Sequence, residues 1–289
     1  MPQDSRPNPA RPNSARPGSA RPGSAQPGGR FWNPIAPGLA QELAWDWHNL
    51  ILHRACPICG EPAATDLCRT CDRHLNQCAI ANPKETWQGE FPVFAWGYYR
   101  SKRTPILKRS IAALKYDNHP ILARTLGYRI GQAWNRTRPL KAAVPRWPRP
   151  LVVPIPLHDR KLRSRGFNQA ALLARYFCRV ARLPCAEQGL VRVQDTQALF
   201  GLDRPARQAE VQEAFRVGSV LGGLGDPRAP GLRIPGALIP DRFSPGRSRP
   251  VLLFDDIYTT GATVQAAAQT LQAQGITVLG VVVLARAGG

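Results

Sequence analysis

Apolar and polar positions follow two different periods along this chain. Short runs rich in Val, Leu and Ile occur at Leu151–Leu157, Val251–Phe254 and Ile276–Ala285, and Phe91–Tyr99 is aromatic and β-prone. Between them, Ile106–Tyr116, Ile121–Trp134, Phe167–Ala181 and Val264–Gln274 place apolar residues three or four positions apart, the period of a helix with one buried face. Unbroken apolar strands alternating with helices predict parallel strands buried on both faces, hence an α/β fold. A further amphipathic helix is predicted over Leu39–Arg54, where Leu43, Trp47, Leu50 and Ile51 oppose Glu42, Asp46 and Asn49. Such a stripe more often packs on its own domain than docks a partner or a membrane surface.

Other stretches carry no period. Residues 11–25 repeat the unit Arg-Pro-Asn/Gly-Ser-Ala three times, and Pro- and Gly-rich sequence continues to Gly38. A proline every fifth residue stops any helix or ladder, so residues 1–38 are expected to be a disordered tail, without the apolar core of a secretory signal. Residues 81–89 form a polar linker, and 218–250 are a Gly/Pro-rich irregular insertion. The expected organisation is a tail (1–38), a helix with a small cysteine-rich lobe (39–80) and an α/β domain (90–289).

Composition adds two constraints. The 289 residues hold 39 Lys and Arg against 19 Asp and Glu, a net charge of +20, which concentrates phosphorylated ligands or polyanions around the protein and predicts weak nonspecific affinity for DNA or RNA. No apolar run approaches the roughly 18 residues of a transmembrane helix, so no membrane span is expected. Four of the seven cysteines form two CxxC pairs, Cys56/Cys59 and Cys68/Cys71, separated by eight residues. Two such turns facing each other make the closed tetrahedral sulfur site of structural Zn²⁺, with no open position for catalysis. His74 offers a substitute ligand but reads more simply as a surface residue. Cys78, Cys178 and Cys185 have no paired spacing, and Cys178 falls on an apolar helical stripe as a buried inert thiol. An odd cysteine count without a signal sequence points to a reducing, cytoplasmic compartment.

The segment VLLFDDIYTTGATV (Val251–Val264) carries the densest chemistry. A buried strand ends in Asp255 and Asp256, and Thr259, Thr260, Gly261, Ala262 and Thr263 lead into a helix. Outward N–H groups, threonine hydroxyls and a glycine that lets the backbone approach make an anion cradle. Adjacent acids repel a bare phosphate but accept from sugar hydroxyls, and Mg²⁺ offsets their charge; a phosphorylated ribose satisfies both halves. Arg160, Lys161, Arg163 and Arg165 follow the Leu151–Leu157 strand and suit a pyrophosphate. Lys115, in ALKYDN, reads as a cation favoured at a helix C-terminus.

Hydrophobic-Asp-Asp-x-x-Thr-Thr-Gly-x-Thr resembles the phosphoribosyl pyrophosphate (PRPP) signature of the type I phosphoribosyltransferases. With the four-Cys knuckle, ALKY, VPIPLHDRKLRSRGFNQ and the C-terminal VVVLAR, residues 43–286 resemble the ComF family, linked to natural competence and DNA uptake. The resemblance implies a type I phosphoribosyltransferase-like parallel sheet flanked by helices and preceded by a zinc knuckle. It assigns Asp255 and Asp256 to the ribose hydroxyls, 259–263 to the 5′-phosphate and Val153–Gln169 to the pyrophosphate, with Mg²⁺ accompanying PRPP. No protein nucleophile is required. The flexible loop that closes over PRPP maps to Thr196, Leu202 and Arg207 ahead of Ala214 and Phe215, with Leu199 in place of the family's Gln and Glu210 in place of its Asn. Two functions follow: transfer of phosphoribosyl to a nitrogen acceptor, or a non-enzymatic competence role through single-stranded DNA or an uptake-machinery protein.

Overall fold

The computed structural model describes residues 54–88, 91–99, 105–140, 149–194, 214–221 and 249–287. The expected tail, all of the Leu39–Arg54 helix but Arg54, which is the first residue of a strand, the flexible-loop positions Thr196, Leu199, Leu202, Arg207 and Glu210, and most of the 218–250 insertion lie outside them.

A small lobe comes first. Strands β1 (Arg54–Ala55) and β2 (Pro62–Ala63) pair antiparallel and are followed by helix α1 (Arg69–Asn76). After a 3₁₀ turn at Pro83–Thr86 the chain enters β3 (Val93–Tyr98), then α2 (Pro105–Tyr116) and α3 (Ile121–Thr137). Strand β4 (Leu151–Pro154) leads to a one-turn-plus helix α4 (Asp159–Arg165) and to α5 (Gln169–Ala181). A short antiparallel pair, β5 (Leu190–Arg192) and β6 (Phe215–Val217), precedes β7 (Val251–Tyr258), α6 (Ala262–Gln272) and β8 (Val278–Arg286).

Strands β3, β8, β7 and β4 form, in that spatial order, a four-stranded sheet that is parallel throughout. Because side chains alternate along a strand, each strand serves two cores. On one face Phe94, Trp96, Val152, Leu252, Phe254 and Val282 pack with residues of α2, α3 and α5, and on the other Ala95, Val153, Leu253 and Val283 pack with α6 and the β5–β6 pair. Val251 to Phe254 are fully buried, which is why that run reads as continuous apolar sequence. Strand β4 stops at Pro154, short of the predicted Leu157, since Pro154 and Pro156 have no N–H to extend the ladder. Both sheet edges are covered: Ala79 bridges Gly97 of β3, and Cys185 bridges Val152 of β4.

Helices α3 and α5 approach closely because α3 presents Gly127 and Gly131 one turn apart. A Cβ on Gly127 would lie 2.7 Å from the Leu173 carbonyl oxygen, and one on Gly131 2.6 Å from Val180 Cβ. Alanine at 127 gains about 1 kcal/mol of helix propensity but overpacks against backbone, which costs about 1–3 kcal/mol. Gly127→Ala is therefore expected to lower the urea midpoint; an unchanged or raised midpoint contradicts this packing.

Candidate functional site

Parallel strands bring their C-terminal ends to one edge of the sheet. The helix that follows β4, α5, packs on one face, whereas α6, which follows β7, packs on the other. The loops leaving these adjacent strands therefore diverge, and the crevice between them is the topological switch point where open α/β sheets bind ligands.

The β7 side of the crevice carries Asp255 and Asp256. Asp256 points toward α2, where its Oδ2 lies 2.5 Å from Lys115 Nζ, the two side chains being only 6% and 15% exposed. Asp255 accepts the Asp256 N–H at Oδ1 (2.8 Å). Burial and the adjoining Asp256 carboxylate push the Asp255 carboxyl well above the ordinary carboxylate range, against smaller opposing effects of that N–H and Lys115. A carboxyl whose pKa is raised on folding holds its proton more tightly in the native state, so stability falls as pH rises from the unfolded value through the native one. Asp255→Asn removes that loss and is expected to melt higher than wild type at neutral pH, with the difference closing near pH 4; a lower melting temperature at pH 7 contradicts it.

Beyond Tyr258 the chain turns through Thr259–Thr263 into α6. Gly261 adopts φ +82°, and a Cβ there would fall 2.3 Å from the Tyr258 hydroxyl oxygen, so only glycine fits this turn. Thr259, Thr260 and Ala262 are exposed. Thr260 Oγ1 accepts the Ala262 N–H at 3.4 Å, and the N-cap residue, Gly261, has no side chain to cap α6. An exposed helix start with flanking hydroxyls suits an anion.

On the β4 side, Ile155 N–H donates to the Phe254 carbonyl (2.8 Å), and Asn168 ties the far end of the loop back by donating from Nδ2 to the Ile155 carbonyl (3.0 Å) while its Oδ1 accepts the Ala170 N–H. The loop between is thus held at both ends. His158 caps α4, with Nδ1 accepting the Arg160 N–H, and Gly166 ends it at φ +76°. Lys161, Arg163, Arg165 and Phe167 line a cavity of about 770 Å³ together with Lys115 and Tyr116 of α2. Arg165 donates to Gln169 Oε1 (3.0 Å) and lies 5.3 Å above the Tyr116 ring.

In the lobe, the hairpin turn brings Cys56 and Cys59 against Cys68 and Cys71, all four sulfurs within 4.8 Å of one another. Zn–S bonds of ~2.3 Å at tetrahedral angles separate sulfurs by about 3.8 Å, so the set is the right size for a metal ion such as zinc. Cys59 and Cys68 Sγ are 3.5 Å apart, and Cys68 Sγ accepts the Cys71 N–H at 3.4 Å. Burial raises the Cys56 thiol, but backbone N–H groups of Cys68, Ile58 and Cys59 outweigh it and hold the pKa at about 7; Cys71 is driven far up by burial and by the three neighbouring sulfurs. Four thiolates at this spacing repel one another without a cation among them, which is the chemistry of a metal-holding set.

No family model matches the chain. It is 27% identical over 218 residues to Competence protein F of Haemophilus influenzae, covering 74% of this chain and 79% of that protein. It is 23% identical over 224 residues to Competence protein ComFC of Bacillus subtilis, covering 76% and 72%. These two relatives support a ComF-family protein.

The structure gathers most, not all, of the residues singled out in the sequence. Asp255, Asp256 and the Thr259–Thr263 turn leave one strand end, and Lys161, Arg163 and Arg165 line the cavity beyond the neighbouring strand. Arg160 is exposed and outside the cavity lining. Sequence reading ascribes Lys115 to a helix dipole, with a ligand role as the lesser alternative, and assigns Tyr116 no role; in the structure that cation is the partner of Asp256. Tyr116 beside it is an aromatic left 73% exposed at the end of a helix. Cys178 is buried as expected, and burial pushes its thiol well up, leaving it protonated.

Sequence reading also missed how the cysteine lobe is held. Arg109 donates to the Ile58 carbonyl (2.8 Å), Arg124 grips Asp66 through Nε (2.9 Å) and Nη2, and Arg129 pairs with Asp72 and Asn76. Thr125 adds a hydroxyl to Asp66 at 2.8 Å. Three arginines on α2 and α3 therefore clamp the lobe, while Cys56, Leu67, Leu75 and Cys78 join the apolar cluster beneath the sheet. Among the described residues no helix is long and apolar enough to cross a membrane.

Proposed function

We propose that this protein binds Mg-PRPP across the switch-point crevice and transfers its phosphoribosyl group to a nitrogen acceptor. The observation that carries the reading is the division of labour between adjacent strand ends: an acidic pair and a glycine–threonine turn on β7, a cationic cavity beyond β4. A sugar carrying a 5′-phosphate and a pyrophosphate has matching chemistry in the same order. The 259–263 turn receives the 5′-phosphate through backbone N–H groups and hydroxyls, the β7 carboxylates accept from the ribose hydroxyls, and Lys161, Arg163 and Arg165 meet the pyrophosphate, with Arg160 an outer contact. Mg²⁺ supplies charge neutralisation for the diphosphate.

Loss of pyrophosphate gives the ribose C1 oxocarbenium character while negative charge grows on the leaving group. Fixed cations facing that charge, and two loops tied to rigid strands, supply electrostatic stabilisation and orientation, the two contributions such a reaction needs. No side chain serves as a nucleophile. Thr196 and Arg207, on the predicted flexible loop, are assigned to closure over the ligand. The four cysteines hold a structural Zn²⁺, keeping the lobe folded against α2 and α3 in a reducing, cytoplasmic setting.

Titration of PRPP with Mg²⁺ into the full chain tests the reading. PRPP is expected to bind at least tenfold more tightly than ribose 5-phosphate or pyrophosphate alone, because it engages both loops; equal affinities for PRPP and pyrophosphate would overturn it.

A second reading rests on the relatives, which are named competence proteins, and on the net charge of +20. In it, the protein serves DNA uptake through single-stranded DNA or an uptake-machinery protein, and PRPP is a ligand only. Tight, base-dependent DNA binding that persists at physiological salt, without pyrophosphate release from PRPP with any nucleobase, favours it.

A further inference from the structure

Asp256 is a buried carboxylate with an unusual dependence. Its Oδ2 carries the ion pair with Lys115 and, among the described residues, no hydrogen bond besides it. A charge this far from water needs a partner, and the partner stands on a different helix at the mouth of a different feature. Lys115 is also part of the lining of the cationic cavity, next to Tyr116, whose ring Arg165 covers. One ammonium thus faces a carboxylate on the β7 side and an anion-sized, cation-lined space on the β4 side.

We infer that Lys115 is a shared cation, a positioning residue that couples the acidic pair to the anion cavity: an anion of the pyrophosphate class bound among Lys161, Arg163 and Arg165 competes with Asp256 for the same ammonium. This inference rests on the pyrophosphate assignment of the cavity. As phosphate oxygens draw Lys115 toward the cavity, Asp256 loses its counter-charge and becomes a stronger acceptor for hydroxyl donors. Reciprocity requires that weakening the carboxylate strengthens the anion site. The two ends of one substrate are then sensed by a single side chain, which favours a ligand carrying both a pyrophosphate and a diol over either alone.

Calorimetric titration of inorganic pyrophosphate into the full chain and four variants tests the coupling. Lys115→Met is expected to weaken binding by about fivefold or more, as loss of a charge-assisted contact does, while Lys115→Arg stays within about threefold of wild type. Asp256→Asn, which releases the ammonium, is expected to tighten binding several-fold. That gain must vanish when Lys115→Met is present, so the double variant binds like Lys115→Met alone. The double variant is charge-neutral at the pair and remains informative if either single variant fails to fold: wild-type affinity in it overturns the inference. So does an Asp256→Asn effect that persists undiminished without Lys115, which marks a general field effect rather than a shared cation. Absence of pyrophosphate binding to the wild type overturns the cavity assignment and this inference together, whereas binding without coupling overturns the inference alone.

Discussion

Replacing Cys56 with serine is expected to release the metal from the lobe and lower the melting temperature by roughly 10 °C, as loss of about 3 kcal/mol does in a domain of this size. Cys56 is buried, sits at the end of β1, and its sulfur is held by three backbone N–H groups, so serine removes a ligand from a position already shaped for a thiolate. The remaining three sulfurs cannot close a tetrahedral site. Structural zinc contributes folding free energy directly, and here the effect spreads, because Leu75 and Cys78 of the lobe belong to the same apolar cluster as Phe94 and Trp96 of the sheet. The arginine clamp softens the loss by keeping part of the lobe docked. Metal analysis of the wild type should return about one zinc per chain, with chelator reproducing the thermal shift of Cys56→Ser. Stoichiometry near zero, or a chelator-insensitive melting curve, contradicts the assignment.

Gly261→Val is expected to abolish binding of phosphate esters, weakening ribose 5-phosphate by about 100-fold or more, since several charge-assisted N–H contacts of roughly 1.5–3 kcal/mol each depend on that turn. The backbone at 261 lies at φ +82°, where a β-branched residue is strained, and its Cβ would collide with the Tyr258 ring. The turn has to reopen, and with it the start of α6. The sheet itself has no reason to fail, because Val251 to Phe254 are buried on both faces upstream of the turn. Far-UV circular dichroism close to wild type together with lost ribose 5-phosphate binding is the predicted pair of results; near-wild-type affinity shows that the turn does not hold the phosphate.

What could be read in advance was what is contiguous. Val251–Phe254 announces a doubly buried parallel strand because four adjacent apolar residues have no polar face to turn to water, and Asp-Asp followed by Thr-Thr-Gly-x-Thr concentrates its chemistry within nine positions. The two CxxC pairs carry their spacing in the chain as well. Contacts between distant segments were not legible. Lys115 resembles any helix-terminal lysine until the sheet places β7 beneath α2, and nothing local in Arg109, Arg124 or Arg129 distinguishes them from other surface arginines. Strand order is another long-range property: β8 inserts between β3 and β7, so β3 and β4, the first two strands of the sheet along the chain, stand at its opposite edges. The 3₁₀ turn at Pro83–Thr86 lay inside an expected linker; its Asn82 cap and Pro83 were visible, but the hydroxyl of Thr86 that accepts the Ala95 N–H of β3 was not.

The most direct test of the central claim, that the β7 acids and the two loops form a PRPP site, is titration of PRPP with Mg²⁺ into the full-length wild type and into Asp255→Asn. That variant is chosen because it is expected to stay folded and to gain stability at neutral pH. Saturable binding by the wild type is expected, weakened about tenfold in Asp255→Asn, as removal of an oxygen acceptor for a sugar hydroxyl does. Identical affinity in the two proteins, or no binding by the folded wild type, contradicts it.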